Sequence, residues 1–308
     1  MRTFEYKFGD ILPKENTAIA LGYFDGVHLA HREIISLTVK EARARGLTPA
    51  VFTFSAEETR FKASATRIYP TRTKLSILEE LGIEVAIIAD FPSVARLSPE
   101  EFVSEVLIGA CGMRLAVSGY NFRFGRGASG SVKDLTALSS ALGAECLLLE
   151  ERCLGGEPIS STRIRRALES GEVKLATELL GAPYKMGGRV ERGRGVGHKL
   201  GFPTVNTSIP EGAVKMKNGV YKTAVTVGGA TYPAITNVGT CPTFEERETH
   251  AETFIKDFSG DLYGKDVEVL FLDFIREERR FDSPDELIMQ INIDKSIAFG
   301  ENEIETEK

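Results

Sequence analysis

The sequence predicts two fold classes in one chain: a doubly wound parallel α/β sheet in the N-terminal part, then a small antiparallel β-barrel or sandwich with a C-terminal helix. Three observations predict it. Short apolar runs alternate with amphipathic stretches of helical period up to Ser170, strand-like runs separated by turn residues fill the rest, and 308 residues suit two domains better than one.

In chain order, segments 17–21, 49–54, 85–90, 114–118 and 145–149 are short, continuously apolar and rich in β-branched residues, the pattern of strands buried on both faces. Between them, 31–45, 71–81, 99–111 and 132–142 carry helical periodicity, and Ser98 with Glu101 has capping-box spacing for the third helix. Repeated strand-then-helix units form a parallel sheet, whose ligands sit at the carboxyl ends of the strands. One more helix is expected over 172–180. GAPYKMGG, with Gly181, Pro183, Gly187 and Gly188 as breakers, then reads as a linker. Strands follow at 189–192, 219–227, 231–238, 251–258 and 266–273. A final helix starts behind Ser283, whose hydroxyl can cap it, and runs to about Ile293, with ENEIETEK as a frayed acidic tail.

Composition narrows the function classes. No run approaches the 18 apolar residues of a membrane helix, and the N-terminal MRTFEYKFGD carries two acidic residues where a secretion signal has its apolar stretch, so a cytoplasmic protein is expected. Net charge of −6 argues against a nucleic acid or an anionic membrane as partner. The charge is uneven, because residues 160–200 hold nine Lys or Arg against four Glu, a local field suited to a small phosphorylated ligand. Cys111, Cys146, Cys153 and Cys241 form no CxxC pair and have no His-rich partner segment, so reduced, mostly buried thiols are expected rather than a zinc site.

The segment IALGYFDGVHLAH leaves the first of these strands, turns at Gly22 and Gly26 and enters a helix with His28 and His31 three apart, on one face of its first turn. A helix N-terminus offers free N–H groups and a partial positive charge, so two ring donors beside it make an anion site. Gly22, Phe24, Asp25 and Gly26 are the turn's candidate nucleotide contacts. Alone, an HxxH pair is as compatible with packing or surface histidines. Downstream, PISSTRIRRAL places Ser160, Ser161 and Thr162 where N-caps belong and Arg163 in the first helical turn, where its fork can reach a phosphate. Phe52, Phe54, Tyr120, Phe122 and Phe124 at strand ends can stack on a flat ring or fill a core.

In the second half, GRVERGRGVGHKLGFPTVN sets Gly193, Gly195, Gly197 and Gly201 within nine residues, so backbone amides can close around a phosphate with Arg194 and Lys199 supplying charge; a mobile hairpin is the plain alternative. Thr204 and Asn206 alternate by two and leave one face of an extended segment, with neutral oxygens that suit Mg²⁺ or turn amides.

GYFDGVHLAH, GYNFRFGRGASG and ISSTRIRRAL resemble the three signatures of the FMN adenylyltransferase module of bacterial bifunctional riboflavin kinase/FAD synthetases, within the HxGH nucleotidyltransferase superfamily with its Rossmann-like sheet. GRGVGHKLGFPTVN, NGVYKTAV, ITNVGTCPTF, AETFIKDFSGDLYGK and FIREERRFDSPDELIMQINID resemble the riboflavin kinase module of the same proteins, which folds as an antiparallel barrel. The resemblance divides the chain into an adenylyltransferase domain, 1–185, and a kinase domain, 186–308. It implies ATP and Mg²⁺ at both, with riboflavin converted to FMN and FMN to FAD. His28, His31, Ser161, Thr162 and Arg163 would hold ATP phosphates, with His28, His31 and Arg163 catalytic. Asn121, Phe54 and Phe124 would face the flavin. Gly193, Gly197, Lys199 and Thr204 would bind the second nucleotide, Thr204 and Asn206 the magnesium, and Glu252, with Glu248 as fallback, would be the base on the ribityl hydroxyl. Three positions depart from the family pattern: Ala30 replaces the glycine of the histidine motif, His198 an arginine and Lys256 an apolar residue. A chain with the kinase alone active, or a non-catalytic flavin-binding regulator, are the competing readings.

Overall fold

The computed structural model describes residues 1–55, 66–192, 202–209, 212–240 and 249–300. The chain divides into two compact units, Met1–Ser161 and Thr162–Lys308.

The first unit is built on a six-stranded sheet of β1 (Arg2–Tyr6), β2 (Thr17–Leu21), β3 (Thr48–Phe54), β4 (Val85–Ala89), β5 (Met113–Gly119) and β6 (Glu145–Leu149). Its spatial order is β1-β4-β3-β2-β5-β6 and every pairing is parallel. Helices α1 (Leu29–Arg45), α2 (Thr71–Glu80), α3 (Phe91–Val94), α4 (Pro99–Glu101) and α5 (Val132–Ala141) form the crossovers. The chain winds outward from β2 through β3 to β4, then returns to lay β5 on the other side of β2. That reversal is the topological switch point, and it lies at the ends of β2 and β5.

Five of these strands and their helices match the sequence reading closely. The capping box at Ser98 and Glu101 is present in both directions, Ser98 Oγ accepting the Glu101 N–H at 3.2 Å and the Glu101 carboxylate accepting the Ser98 N–H at 2.7 Å. Beyond that first turn, the predicted helix over 99–111 is a π-helix, Phe102–Ala110, whose wider turn closes with Cys111 N donating to Val106 O at 2.9 Å. β1 was not foreseen, since RTFEY alternates polar and apolar residues; it is an edge strand with one solvated face. Among the described cysteines only Cys111 is buried, while Cys146 is half-buried and Cys153 exposed, which corrects the expectation of mostly buried thiols.

The second unit holds α6 (Ser161–Ser170, its first residue belonging to the other unit), α7 (Val173–Leu180), a closed barrel and α8 (Pro284–Phe299). Two further short strands, β7 (Cys153–Leu154) and β8 (Glu157–Pro158), pair as a hairpin before α6. The barrel strands are β9 (Tyr184–Glu191), β10 (Thr204–Ser208), β11 (Gly219–Val227), β12 (Ala230–Thr240), β13 (Thr249–Ile255) and β14 (Asp266–Arg276), in the order β10-β13-β12-β11-β14-β9 with β9 returning to β10. All neighbours are antiparallel.

Two expectations are corrected here. GAPYKMGG is no simple linker, because β9 begins at Tyr184. Gly188 inside that strand has a packing reason: a Cβ there would lie 3.0 Å from Thr207 Cβ on the neighbouring strand. The last helix extends past Ile293 to Phe299, capped as expected by Ser283, whose Oγ accepts the Glu286 N–H at 3.3 Å. Alternate residues of β11 point inward, and the interior mixes Tyr221, Val225, Val269 and Phe271 with buried threonines. Thr236 Oγ1 lies 2.9 Å from both Thr223 Oγ1 and Thr253 Oγ1, so three hydroxyls satisfy one another across three strands.

Candidate active sites

In the first unit, Leu21 ends β2 and the chain passes through a short, strained turn into α1. Phe24, Gly26 and Val27 all have positive φ, 55°, 81° and 42°, a conformation that costs a non-glycine residue energy and persists only where the surroundings hold it. A Cβ on Gly26 would come within 2.8 Å of Ile68 Cδ1, so that buried side chain would have to shift, and the φ of 81° disfavours any other residue there. The Asp25 carboxylate accepts the Ile68 N–H at 3.0 Å, and its carbonyl accepts the Ser161 hydroxyl at 2.9 Å. Tyr23 O accepts the Thr53 hydroxyl at 3.0 Å and the Lys74 ammonium at 3.2 Å.

The turn delivers the histidines. His28 is the N-cap of α1 rather than a residue of its first turn, with Nδ1 accepting the His31 N–H at 3.4 Å. A ring that accepts at Nδ1 carries its proton on Nε2. The two imidazoles stack with centroids 3.5 Å apart and planes 15° from parallel, and the Phe24 ring meets His31 edge-on at 5.2 Å. Burial pushes the His28 pKa down to about 4. His31 is lowered well below the ordinary histidine value, by desolvation first, then by His28 and by the Lys74 charge. The expectation of an anion site at this turn therefore takes a specific form, in which neutral imidazoles rather than imidazolium ions stand at the helix start.

A cavity of about 900 Å³ opens at the switch point. Gly22, Phe24, His28, His31 and Ser161 line it together with Phe54, Asn121 and Phe124. Phe52, Phe91, Phe102 and Phe122 complete an aromatic wall: Phe54 stands edge-on to both Phe52 and Phe91, and Phe122 stacks on Phe124 at 5.8 Å. Ala30, the departure from the family glycine, also lines this cavity. Asp25 and Gly26 shape the turn from behind without lining the cavity, and Thr162 and Arg163 fall in the first turn of α6, past the unit boundary.

In the second unit a smaller cavity of about 230 Å³ is lined by Thr204, Glu252, Asn237, Phe254, Arg276 and Glu278 among others, with α8 contributing Leu287, Ile291 and Asp294. Register explains the grouping. Asn206 on β10 and Asn237 on β12 both pair with Glu252 on β13, so the three side chains form a row on one face of the barrel wall. Thr204 shares that face two residues before Asn206. Asp294 is almost fully buried on α8. It accepts from Arg276 Nε at 2.9 Å, from Arg276 Nη2 at 2.8 Å and from Gln290 Nε2 at 2.8 Å, a charge-assisted fork that fastens α8 to β14 beside the cavity. Lys256, the departure in β13's continuation, rests its ammonium 5.2 Å from the Phe299 ring centre, which accounts for a cation where an apolar residue is usual. Gly193, Arg194, Gly195, Gly197, His198, Lys199, Gly201, Cys241 and Glu248 lie outside the described residues.

Sequence reasoning assigned no role to Lys74, Asn237, Arg276, Glu278 or Asp294. Lys74 left a trace: it occupies the buried stripe of α2 with Ile77 and Leu78, an i, i+3, i+4 position where an apolar residue belongs. Arg276 and Asp294 left none, since their partnership needs β14 and α8 to meet.

Fold and cavities together define a class of protein: a two-module chain with an α/β module and a barrel module, each with its own pocket. Residues 11–163 match the family model for FAD synthetase and residues 180–299 that for riboflavin kinase. The chain is 36% identical over 310 residues to the bifunctional riboflavin kinase/FMN adenylyltransferase of Bacillus subtilis strain 168, covering 97% of each, and 33% identical over 291 residues to that of Escherichia coli K12, covering 93% of each. It also superimposes, with a TM-score of 0.87 and 31% identity, on a crystal structure described as a macrolide-efflux protein from Streptococcus pneumoniae, over 98% of this chain and all of that one. In this chain no helix among the described residues is long and apolar enough to cross a membrane. The chain belongs to the family of bifunctional riboflavin kinase/FMN adenylyltransferases, with both enzymatic domains in the order the motifs implied.

Proposed function

We propose that this enzyme phosphorylates riboflavin to FMN in the barrel cavity and joins FMN to an adenylyl group in the switch-point cavity, releasing pyrophosphate and yielding FAD. The functional division follows 1–185 for adenylyl transfer and 186–308 for the kinase, with helices α6 and α7 packing within the second compact unit. The observation that carries the reading is that each unit has its own cavity, lined by His28, His31 and Ser161 in the first and by Thr204 and Glu252 in the second.

In the first cavity no covalent nucleophile is needed, because an FMN phosphate oxygen attacks the α-phosphorus of ATP as pyrophosphate leaves. The protein aligns the two phosphates and meets the developing charge. His28, neutral near pH 7 because its pKa is about 4, offers Nε2–H as a hydrogen-bond donor without the charge of an imidazolium. The free N–H groups at the start of α1 supply the positive potential, and Ser161 lines the same cavity. The aromatic wall of Phe54, Phe122 and Phe124, with Asn121, receives the isoalloxazine.

In the second cavity Glu252 accepts the proton of the ribityl 5′-hydroxyl as it attacks the γ-phosphorus. Thr204 and Glu252 line the cavity and Asn206 shares their face by register without lining it, so two neutral oxygens beside a carboxylate fit Mg²⁺, which takes few protein ligands. Bound there, the ion would screen the phosphate charges. ATP, riboflavin and FMN are thus the small-molecule partners; the net charge of −6 disfavours nucleic acid and membrane surfaces, and we place the enzyme in the cytoplasm.

Two variants assayed with riboflavin, ATP and Mg²⁺ test the division. Asn206→Ala abolishes FMN formation but leaves FAD formation from supplied FMN, and His28→Ala does the reverse. A folded variant that lost both steps would refute the assignment.

A further inference from the structure

Lys74 is 1% exposed, an unusual burial for a residue whose ammonium is strongly hydrated. It lies on α2, in the buried stripe with Ile77 and Leu78, and among the described residues its ammonium donates to Tyr23 O at 3.2 Å, Thr53 Oγ1 at 3.1 Å and Phe54 O at 2.6 Å. The Tyr23 ring centroid lies 5.0 Å away, and Thr53, itself fully buried, donates its hydroxyl to the same Tyr23 carbonyl at 3.0 Å. Two strand ends are therefore fastened to one cation. Tyr23 opens the turn after β2, and Phe54 ends β3 in the aromatic wall.

The Tyr23 carbonyl belongs to the peptide that leads into Phe24, whose φ of 55° is the first strained step of the turn. The Phe24 ring meets His31 edge-on, and His31 stacks on His28. A continuous run of contacts thus leads from Lys74 to both imidazoles on one side and to the aromatic wall on the other. Burying an ammonium is costly, and space alone would be filled as well by methionine, so packing does not account for a lysine here.

We propose that Lys74 is a positioning residue for adenylyl transfer: by clamping the Tyr23–Phe24 peptide and the Phe54 carbonyl together, it holds the histidine pair and the aromatic wall at one fixed spacing. Its charge also faces His31 from α2, as His28 does from the N-cap of α1, and both disfavour protonation of that ring. The inference rests on adenylyl transfer being the chemistry of this cavity, which His28→Ala tests on its own; FAD formation surviving in that variant would remove both claims.

The full-length wild type, Lys74→Met and Thr53→Val are compared for FAD formation from FMN and ATP with Mg²⁺, with riboflavin phosphorylation measured in the same preparations as a control and thermal unfolding recorded. Misplacing reacting groups by a fraction of an ångström lowers turnover more than binding, so Lys74→Met is expected to lower kcat for FAD formation about thirtyfold while KM for FMN and ATP stays within about threefold. Riboflavin phosphorylation is unchanged. Thr53→Val, which keeps the ammonium but removes the bridging hydroxyl, lowers the same kcat about fourfold, a smaller loss of the same kind. A folded Lys74→Met enzyme with wild-type kcat, or one whose loss falls in KM alone, overturns the proposal. Should Lys74→Met not fold, Thr53→Val decides, and an undiminished kcat there overturns it equally.

Discussion

Replacing His28 with asparagine tests the electrostatics of the first site against a definite magnitude. Asparagine keeps an oxygen able to cap α1 and takes no proton in the relevant range, so the substitution removes titration while sparing the cap. In the folded protein burial lowers His28 to about 4, whereas an unfolded histidine titrates near 6.5. As pH falls, the unfolded chain binds the proton first and the native state loses ground. Stability from this ring is fully present above about pH 6.5 and is lost progressively down to about pH 4. At 1.36 kcal/mol per unit, the loss between pH 7 and pH 5 comes to about 2 kcal/mol, and about 3 kcal/mol when the folded ring is finally protonated. His31, lowered in the same direction, adds to the acid sensitivity of both proteins. Urea unfolding of the wild type and of His28→Asn at pH 7 and pH 5, followed by circular dichroism and by proteolysis of the first unit, measures the difference. With only four histidines in the chain, an imidazole NMR titration reads the His28 pKa directly. Curves for the two proteins that stay parallel from pH 7 to pH 5, or a His28 resonance titrating near 6.5, would refute the reasoning.

Asp294→Ala leaves the largely buried Arg276 guanidinium and the Gln290 amide without their common acceptor, so the second unit should lose about 3 kcal/mol in urea unfolding and FMN formation should fall as α8 loosens beside the cavity. An unchanged unfolding midpoint would show that the fork contributes nothing. Thr236→Val strips the central hydroxyl from the threonine row in the barrel and leaves Thr223 and Thr253 short of a partner, at a cost of about 2 kcal/mol in the same assay. A stabilised variant would mean that apolar packing outweighs the lost hydrogen bonds.

The local periodicities decided much of this protein. Continuous apolar runs gave away β2, β3 and β4, because a strand buried on both faces has no other composition; β6 was legible from its apolar run although it is a partly exposed edge strand, and the capping box at Ser98 needed only four consecutive residues. The spacing of His28 and His31 was likewise readable, as was the alternation of Thr204 and Asn206, since neighbours in sequence share a face by backbone geometry alone. β1 escaped because an edge strand alternates like a surface segment, and the first half of β9, before the strand expected at 189–192, because its glycines look like breakers until Thr207 is seen packed against one of them.

What required the tertiary structure is every property that depends on residues distant in sequence. Stacking of the two imidazoles and their neutrality come from desolvation by the packed turn, and no spacing rule reports burial. Glu252 was one glutamate among many until ladder register set Asn206 and Asn237 on either side of it. Lys74 stood at an apolar stripe position of α2, but the acceptors of its ammonium, Tyr23 O and Phe54 O, come from segments remote in sequence. Short-range geometry is written in neighbouring residues, whereas dielectric environment and cross-strand contact exist only once remote segments have been brought together.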